Sequence, residues 1–195
     1  MMVPLIINFL KKNKNMKNLI ITGLLLTTAF SAVAQKYATR TGRVTFFSTT
    51  PVENIEAFNN ESSAAIDSKT GDVVFIVPIK SFKFEKALMQ EHFNDNYMES
   101  DKFPKAEFKG KGDFSKIDFS KDGTYKTNVS GKLTIHGVTK DVSVPGTIQV
   151  KAGKAIVNTK FKVKLADYGI KIASVAKGKI AEQVEVTVNS TLDKK

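Results

Sequence analysis

The sequence predicts an all-β chain: eight antiparallel strands closed as an up-and-down barrel, with one short helical insertion near residues 85–98. Three observations carry this expectation. Apolar residues recur at every second position from Val44 onward, the period of a strand with one wet and one dry face. Turn residues interrupt these runs every ten to twenty positions, a spacing that suits successive hairpins. One stretch alone, 85–98, changes to helical spacing.

Taken in order, residues 43–50 and 62–66 read as the first two strands, with a short helix over 51–57 between them. Residues 73–84 read as one long apolar strand after the Thr70-Gly71 turn. In 85–98, Leu88, Met89, His92 and Phe93 fall at i, i+1, i+4 and i+5, which places them on one helical face. Ala106, Phe108, Gly110, Gly112 and Phe114 share the dry face of the next strand, opposite Glu107, Lys109, Lys111 and Asp113. Tyr125 to Ile135, Val142 to Val150, Ala155 to Leu165 and Val184 to Leu192 repeat the alternation. The intervening turn signals are Lys121-Asp122-Gly123, His136-Gly137, Ala152-Gly153-Lys154, Tyr168-Gly169 and Lys177-Gly178. Such strands can close as a barrel or stack as a sandwich. Long strands in hairpin succession favour the barrel, whose closure removes sheet edges.

Residues 1–34 read as an export signal with an upstream extension. From Met16, Lys17 supplies a basic start, Leu19 to Phe30 an apolar run, and Ala32-Val33-Ala34 a small-residue cleavage site. Cleavage is expected after Ala34, which leaves 35–195 as one barrel domain. Met16 is an alternative initiator, in which case 1–15 carry no function. The apolar run falls short of the ~20 residues of a spanning helix, so stable membrane insertion is not expected.

The chain carries 30 basic and 19 acidic residues, net +11, and no cysteine. The leader holds four of the lysines and no acid, so the charge of 35–195 is +7. Arg40 and Arg43 are the only arginines, and the lysines are spread along strand-like segments. No nucleic-acid partner is expected from that pattern. Without cysteine there is neither a disulfide nor a lipidated anchor. His92 and His136 lie on separate elements, so spacing argues for no metal site. Ser81, Ser100, Ser130 and Ser174 lack a nucleophile-elbow context, and no glycine-rich phosphate loop is present. Neither an enzyme nor a cofactor is expected.

Two stretches carry a family resemblance. The first runs from Ser81-Phe82 through Met89, His92-Phe93 and Tyr97-Met98-Glu99-Ser100 to Lys102-Phe103-Pro104-Lys105-Ala106-Glu107-Phe108-Lys109-Gly110. The second is Gly131-Lys132-Leu133-Thr134-Ile135-His136-Gly137-Val138-Thr139-Lys140. Together they resemble the YceI-like family. The resemblance implies a lipocalin-like barrel in the bacterial periplasm, holding a polyisoprenoid or similar long-chain amphiphile in its tunnel. It also leaves a homodimer open. The stretch 89–98 departs from the family pattern, so ligand identity does not transfer with the fold.

An eight-stranded barrel is just wide enough to be filled by side chains or to hold one slender ligand. Inward glycines at Gly110, Gly112, Gly131 and Gly146 read equally as space beside the rings or as bends that let the barrel close. For a hollow barrel the expected lining is Phe82, Phe84, Phe108 and Phe114, with Leu133, Phe161, Val163 and Val186. The expected grip on a polar head lies with Met89, His92, Phe93 and Tyr97, and with Glu99 and Lys102 beside them. For His92 the competing role is to cap or stack on its own helix, and for His136 it is to bond a neighbouring loop. The expected function is an exported carrier or scavenger of a polyisoprenoid, isoprenoid quinone or fatty amide. The alternative is a filled structural barrel that acts through its basic outer face.

Overall fold

Within the residues that the computed structural model describes, 35–195, the period-two alternation folds as eight long strands, each hydrogen-bonded to the next in sequence. The expected export signal, cleavage site and alternative start at Met16 lie outside the described residues. The long strands are β1 (Lys36–Thr49), β2 (Asn54–Asp67), β3 (Asp72–Pro78), β5 (Lys105–Gly112), β6 (Gly123–Ile135), β7 (Val138–Lys151), β8 (Lys154–Lys164) and β9 (Gln183–Lys194). A two-residue strand, β4 (Lys83–Phe84), and one helix, α1 (Ala87–His92), lie between β3 and β5. β1 pairs with both β2 and β9, so the sheet closes on itself as an up-and-down barrel. The predicted fold class is the observed one.

Three local expectations are corrected. Residues 51–57 are not a helix: Asn54 to Ala57 open β2 and pair with β1, with Ser48 opposite Ile55 and Phe46 opposite Ala57. Strand pairing overrides the local helical reading, and Thr50 makes the turn by accepting the Val52 and Glu53 amides at its hydroxyl. The long strand 73–84 is broken, because Pro78 has no amide with which to continue the ladder. The chain turns over Ile79–Ser81, where the Ile79 amide donates to the Pro104 carbonyl at 2.9 Å, and it rejoins β2 at Lys83 and Phe84. The third correction is that β5 ends at Gly112, so Phe114 belongs to the connection that follows it. Tyr168-Gly169 and Lys177-Gly178 fall where the sequence put them, both inside one long connection between β8 and β9.

At one end of the barrel the connections are short or pinned. The β2–β3 turn passes through Gly71, and β7–β8 is a two-residue turn at Ala152 and Gly153, both with positive φ (49° and 75°), the geometry that matches strand twist. The β5–β6 connection, 113–122, crosses beneath this end. It buries Phe114 and Phe119 with Tyr37, Ile66, Val73, Ile148, Val150, Ala155 and Leu192. The Phe119 ring sits 5.2 Å from Tyr37 and 5.8 Å from Phe114, and the Tyr37 hydroxyl donates to the Phe119 carbonyl at 3.3 Å. Burial pushes the Tyr37 pKa above its ordinary value, which keeps the hydroxyl a neutral donor.

The opposite end carries the two longest connections, 79–104 with α1 and 165–182, together with the short β1–β2 and β6–β7 turns. Pairing of β7 with β8 stops at Gly146 opposite Thr159. Above that point the 165–170 segment supplies Tyr168 and Ile170, which are buried in a cluster with Val138 and Val142 of β7 and Val163 of β8.

Candidate functional site

Inward residues above the cluster around Tyr37 and Phe119 line a cavity of about 370 Å³. It is hollow because the wall side chains cannot meet across the axis: Phe75, Phe108, Phe161 and Val186 are only half-buried although they face inward. Below Phe114 the side chains do meet, and Tyr37, Ala155 and Leu192 have no exposed surface.

Gly110, Gly112 and Gly131 do not create this space, whereas Gly146 borders it. Gly110 and Gly131 are opposite partners in the β5–β6 ladder, and a Cβ on either would collide with the other strand's backbone, at the Ser130 and Lys109 carbonyls. They permit close approach of the two strands. The Phe108 ring lies over Gly110 and the Phe114 ring over Gly112. Of the two readings the sequence left open, the structural one applies at these positions.

All eight expected wall residues border the cavity: Phe82, Phe84, Phe108, Phe114, Leu133, Phe161, Val163 and Val186. So do Met89, His92, Phe93 and Tyr97. Phe114 forms the floor. Phe82, Phe84 and Phe93 gather around Phe46 near the mouth, with ring centroids 5.0 to 5.7 Å apart. This cluster fixes the insertion to the barrel wall, because aromatic contacts add to the burial of the rings. α1 ends at His92 and one wider turn, Phe93–Tyr97, continues it. The wall-facing side is narrower than the spacing suggested: Met89, Phe93 and Tyr97 are half-buried, whereas Leu88 points outward, 61% exposed.

Charged and titratable groups reach the cavity at few points. Glu107 borders it through its backbone position on β5, and its carboxylate pairs with Lys109 at 2.6 Å and Lys105 at 3.0 Å. Those hydrogen bonds, Lys109 foremost, hold its pKa below the ordinary carboxylate value. The others are at the mouth: Glu53, His92, Tyr97 and Lys179. Glu53 faces the Lys86 ammonium at 3.6 Å. Sequence reasoning missed Glu53 because it fell in the mistaken helix, and missed Lys179 because the 165–182 connection has no period. Phe46 was readable from its alternation with Val44.

Glu99 and Lys102 do not border the cavity. The Glu99 carboxylate is 2.7 Å from His136 Nε2, and Lys102 lies 4.0 Å from the other Glu99 oxygen. His136 Nδ1 is 3.2 Å from the Tyr168 carbonyl, and Phe103 packs edge-on against the imidazole. His136 therefore joins three mouth segments: the β6–β7 turn, the 79–104 insertion and the 165–170 segment. Glu99 has a positive φ of 43°, a cost of order 1 kcal/mol, and its carbonyl accepts the amides of Lys102 and Phe103.

Among the described residues no cluster of three or more His, Cys, Asp or Glu could hold a metal ion, and no helix is long and apolar enough to cross a membrane.

Comparison with known proteins agrees with this architecture. The YceI-like domain profile matches residues 27–192. A polyisoprenoid binding domain from Saccharophagus degradans implicated in plant cell wall breakdown superposes with a TM-score of 0.73 at 16% identity, over 83% of this chain and 99% of that one. BcnA from Burkholderia cenocepacia gives a TM-score of 0.63 at 17% identity, over 77% and 95%. The Campylobacter jejuni YceI protein gives 0.55 at 20% identity, over 71% and 84%. At these identities the likeness is one of fold. No curated protein is similar enough in sequence to match. The profile match spans most of the sequence and the described barrel to Leu192, and the chain belongs to the YceI-like family.

Proposed function

We propose that this chain is an exported binding protein that sequesters or carries a long-chain apolar molecule inside its barrel. The observation that carries the reading is the cavity itself: about 370 Å³ lined almost wholly by hydrocarbon, with Glu53, His92 and Lys179 at its mouth. An alkyl chain gains roughly 0.8 kcal/mol per buried CH₂ before the costs of ordering and association. A chain of about a dozen carbons thus has enough gross burial energy to be held with few polar contacts. The likeness to a polyisoprenoid binding domain from Saccharophagus degradans supports an apolar ligand. The work of the barrel is burial with a loosely held head near His92, Glu53 and Lys179, rather than bond chemistry. Export to the periplasm rests on the signal-like pattern from Met16 to Ala34.

The hollow interior speaks against the filled, purely structural barrel. Native mass spectrometry of protein purified from its own host, followed by organic extraction, separates the two. The carrier reading expects a co-purifying apolar molecule, lost when Phe161 is replaced by Glu in folded protein. An empty barrel that takes up no apolar molecule refutes it.

A further inference from the structure

From the packing beneath the cavity we infer that it is a blind tunnel, with Phe114 as its floor, and that it selects single chains of about fifteen carbons. This inference rests on the apolar-ligand reading and adds a length limit to it. The floor is built from independent parts of the chain. Phe114 borders the cavity, whereas Phe119 and Tyr37, stacked behind it, do not. Val150, Ala155 and Leu192 close the same level from β7, β8 and β9.

The crossing segment is tied down as well as packed. The Thr127 hydroxyl donates to the Asp113 carbonyl at 2.9 Å, and the Phe119 carbonyl accepts from Tyr37. Asp113 and Asp118 each accept a hydroxyl and an amide, from Ser115 and Ser120, which locks two consecutive turns. A chain entering from the mouth has no exit at this end.

Two dimensions set the length. A cavity of 150 Å³ holds one benzene, so one of about 370 Å³ holds about fifteen carbons. Along β8 the cavity runs from Val157 to Val163. At ~3.3 Å per residue and a tilt of about 40°, that is ~15 Å of axial depth. A zigzag chain with ~1.5 Å bonds advances ~1.3 Å per carbon, so about a dozen carbons fill this strand-lined part, and Leu165, Ala176 and Ile180 border the cavity beyond it. The ligand class is then a single-chain amphiphile: an acyl chain of this size, or an isoprenoid of about three units. A much longer polyisoprenoid would leave most of its length in water.

The test is a chain-length series of straight-chain fatty acids, from about eight to about twenty-two carbons, measured by displacement of a fluorescent fatty acid from the full barrel. Affinity should rise roughly fourfold per methylene to about fifteen carbons and then level off or fall. Phe119→Ala and Phe114→Ala should move that break to longer chains, and Val157→Phe should move it to shorter ones. The wild-type series stands even where a floor variant fails to fold. Affinity that keeps climbing through the longest acids, or a break unmoved by folded floor variants, overturns the length limit and leaves the carrier reading intact. Absence of binding at every length removes both.

Discussion

The two ends of this barrel are made from the same alternating strands and behave as different materials. At the closed end, side chains from all around the ring converge on Tyr37, Phe114 and Phe119 and leave no space. At the mouth, side chains of similar size face an open lumen, and the aromatic rings group along the wall instead of across the axis. The difference comes from the connections. The β5–β6 connection crosses under the barrel and brings its own apolar side chains to the axis. The mouth connections stay at the rim, fixed by Phe93 and by the His136 bonds. An eight-stranded wall stands at the threshold between filled and hollow, and one crossing segment decides which applies.

Removing a ring should therefore cost very different amounts at the two ends. Tyr37→Ala should destabilise by about 3–5 kcal/mol in denaturant unfolding, as expected for an aromatic in a packed core. Phe161→Ala should cost less than about 2 kcal/mol, because its ring already borders space. Equal losses would break the comparison.

The mouth depends on fewer bonds. His136→Ala removes the contacts to Glu99 and Tyr168 at once, and should cost about 1–3 kcal/mol. Hydrogen exchange should quicken in 99–103 and 165–170, with the turn at 152–153 unchanged.

Acid should act chiefly on the other end. Asp67 is held below the ordinary carboxylate range by the backbone amides of Thr70 and Lys69. Asp113 and Asp118 are held there chiefly by the Ser115 and Ser120 hydroxyls. A carboxylate whose folded pKa is lowered stabilises the fold above its unfolded pKa of about 3.9, and that contribution is lost as pH falls through the folded value. Protection factors in 67–71 and 113–122 should drop below about pH 4, while those of α1 hold. The smallest effect is expected on the outer wall: removing the exposed Lys160–Glu185 pair (2.7 Å) should change stability by no more than about 0.5 kcal/mol.

Much of the wall was legible in the sequence because a strand encodes its facing in every second residue. Phe108, Leu133, Phe161, Val163 and Val186 could each be placed inward from that period alone. What was not legible depends on non-local geometry. The bend after Gly112 that turns Phe114 into a floor, and the stacking of Phe119 on Tyr37, 82 residues away, have no local signature. Nor does the facing of Leu88, since an amphipathic stripe leaves the position of the wall undetermined. Glu53 and Lys179 reach the mouth from irregular connections, where no period exists to read. Hollowness is the least local property of all: it depends on how far apart the walls stand, and residue order reports only which way they face.

The most direct test of the contrast between the ends is a crystal structure under xenon pressure, because xenon enters dry apolar cavities regardless of the natural ligand. Xenon should occupy the lumen between Phe75, Phe108, Phe161 and Val186, and none should lie below Phe114, among Tyr37, Phe119 and Leu192. Xenon beneath Phe114, or an upper lumen filled by protein side chains with no xenon at all, would contradict the account.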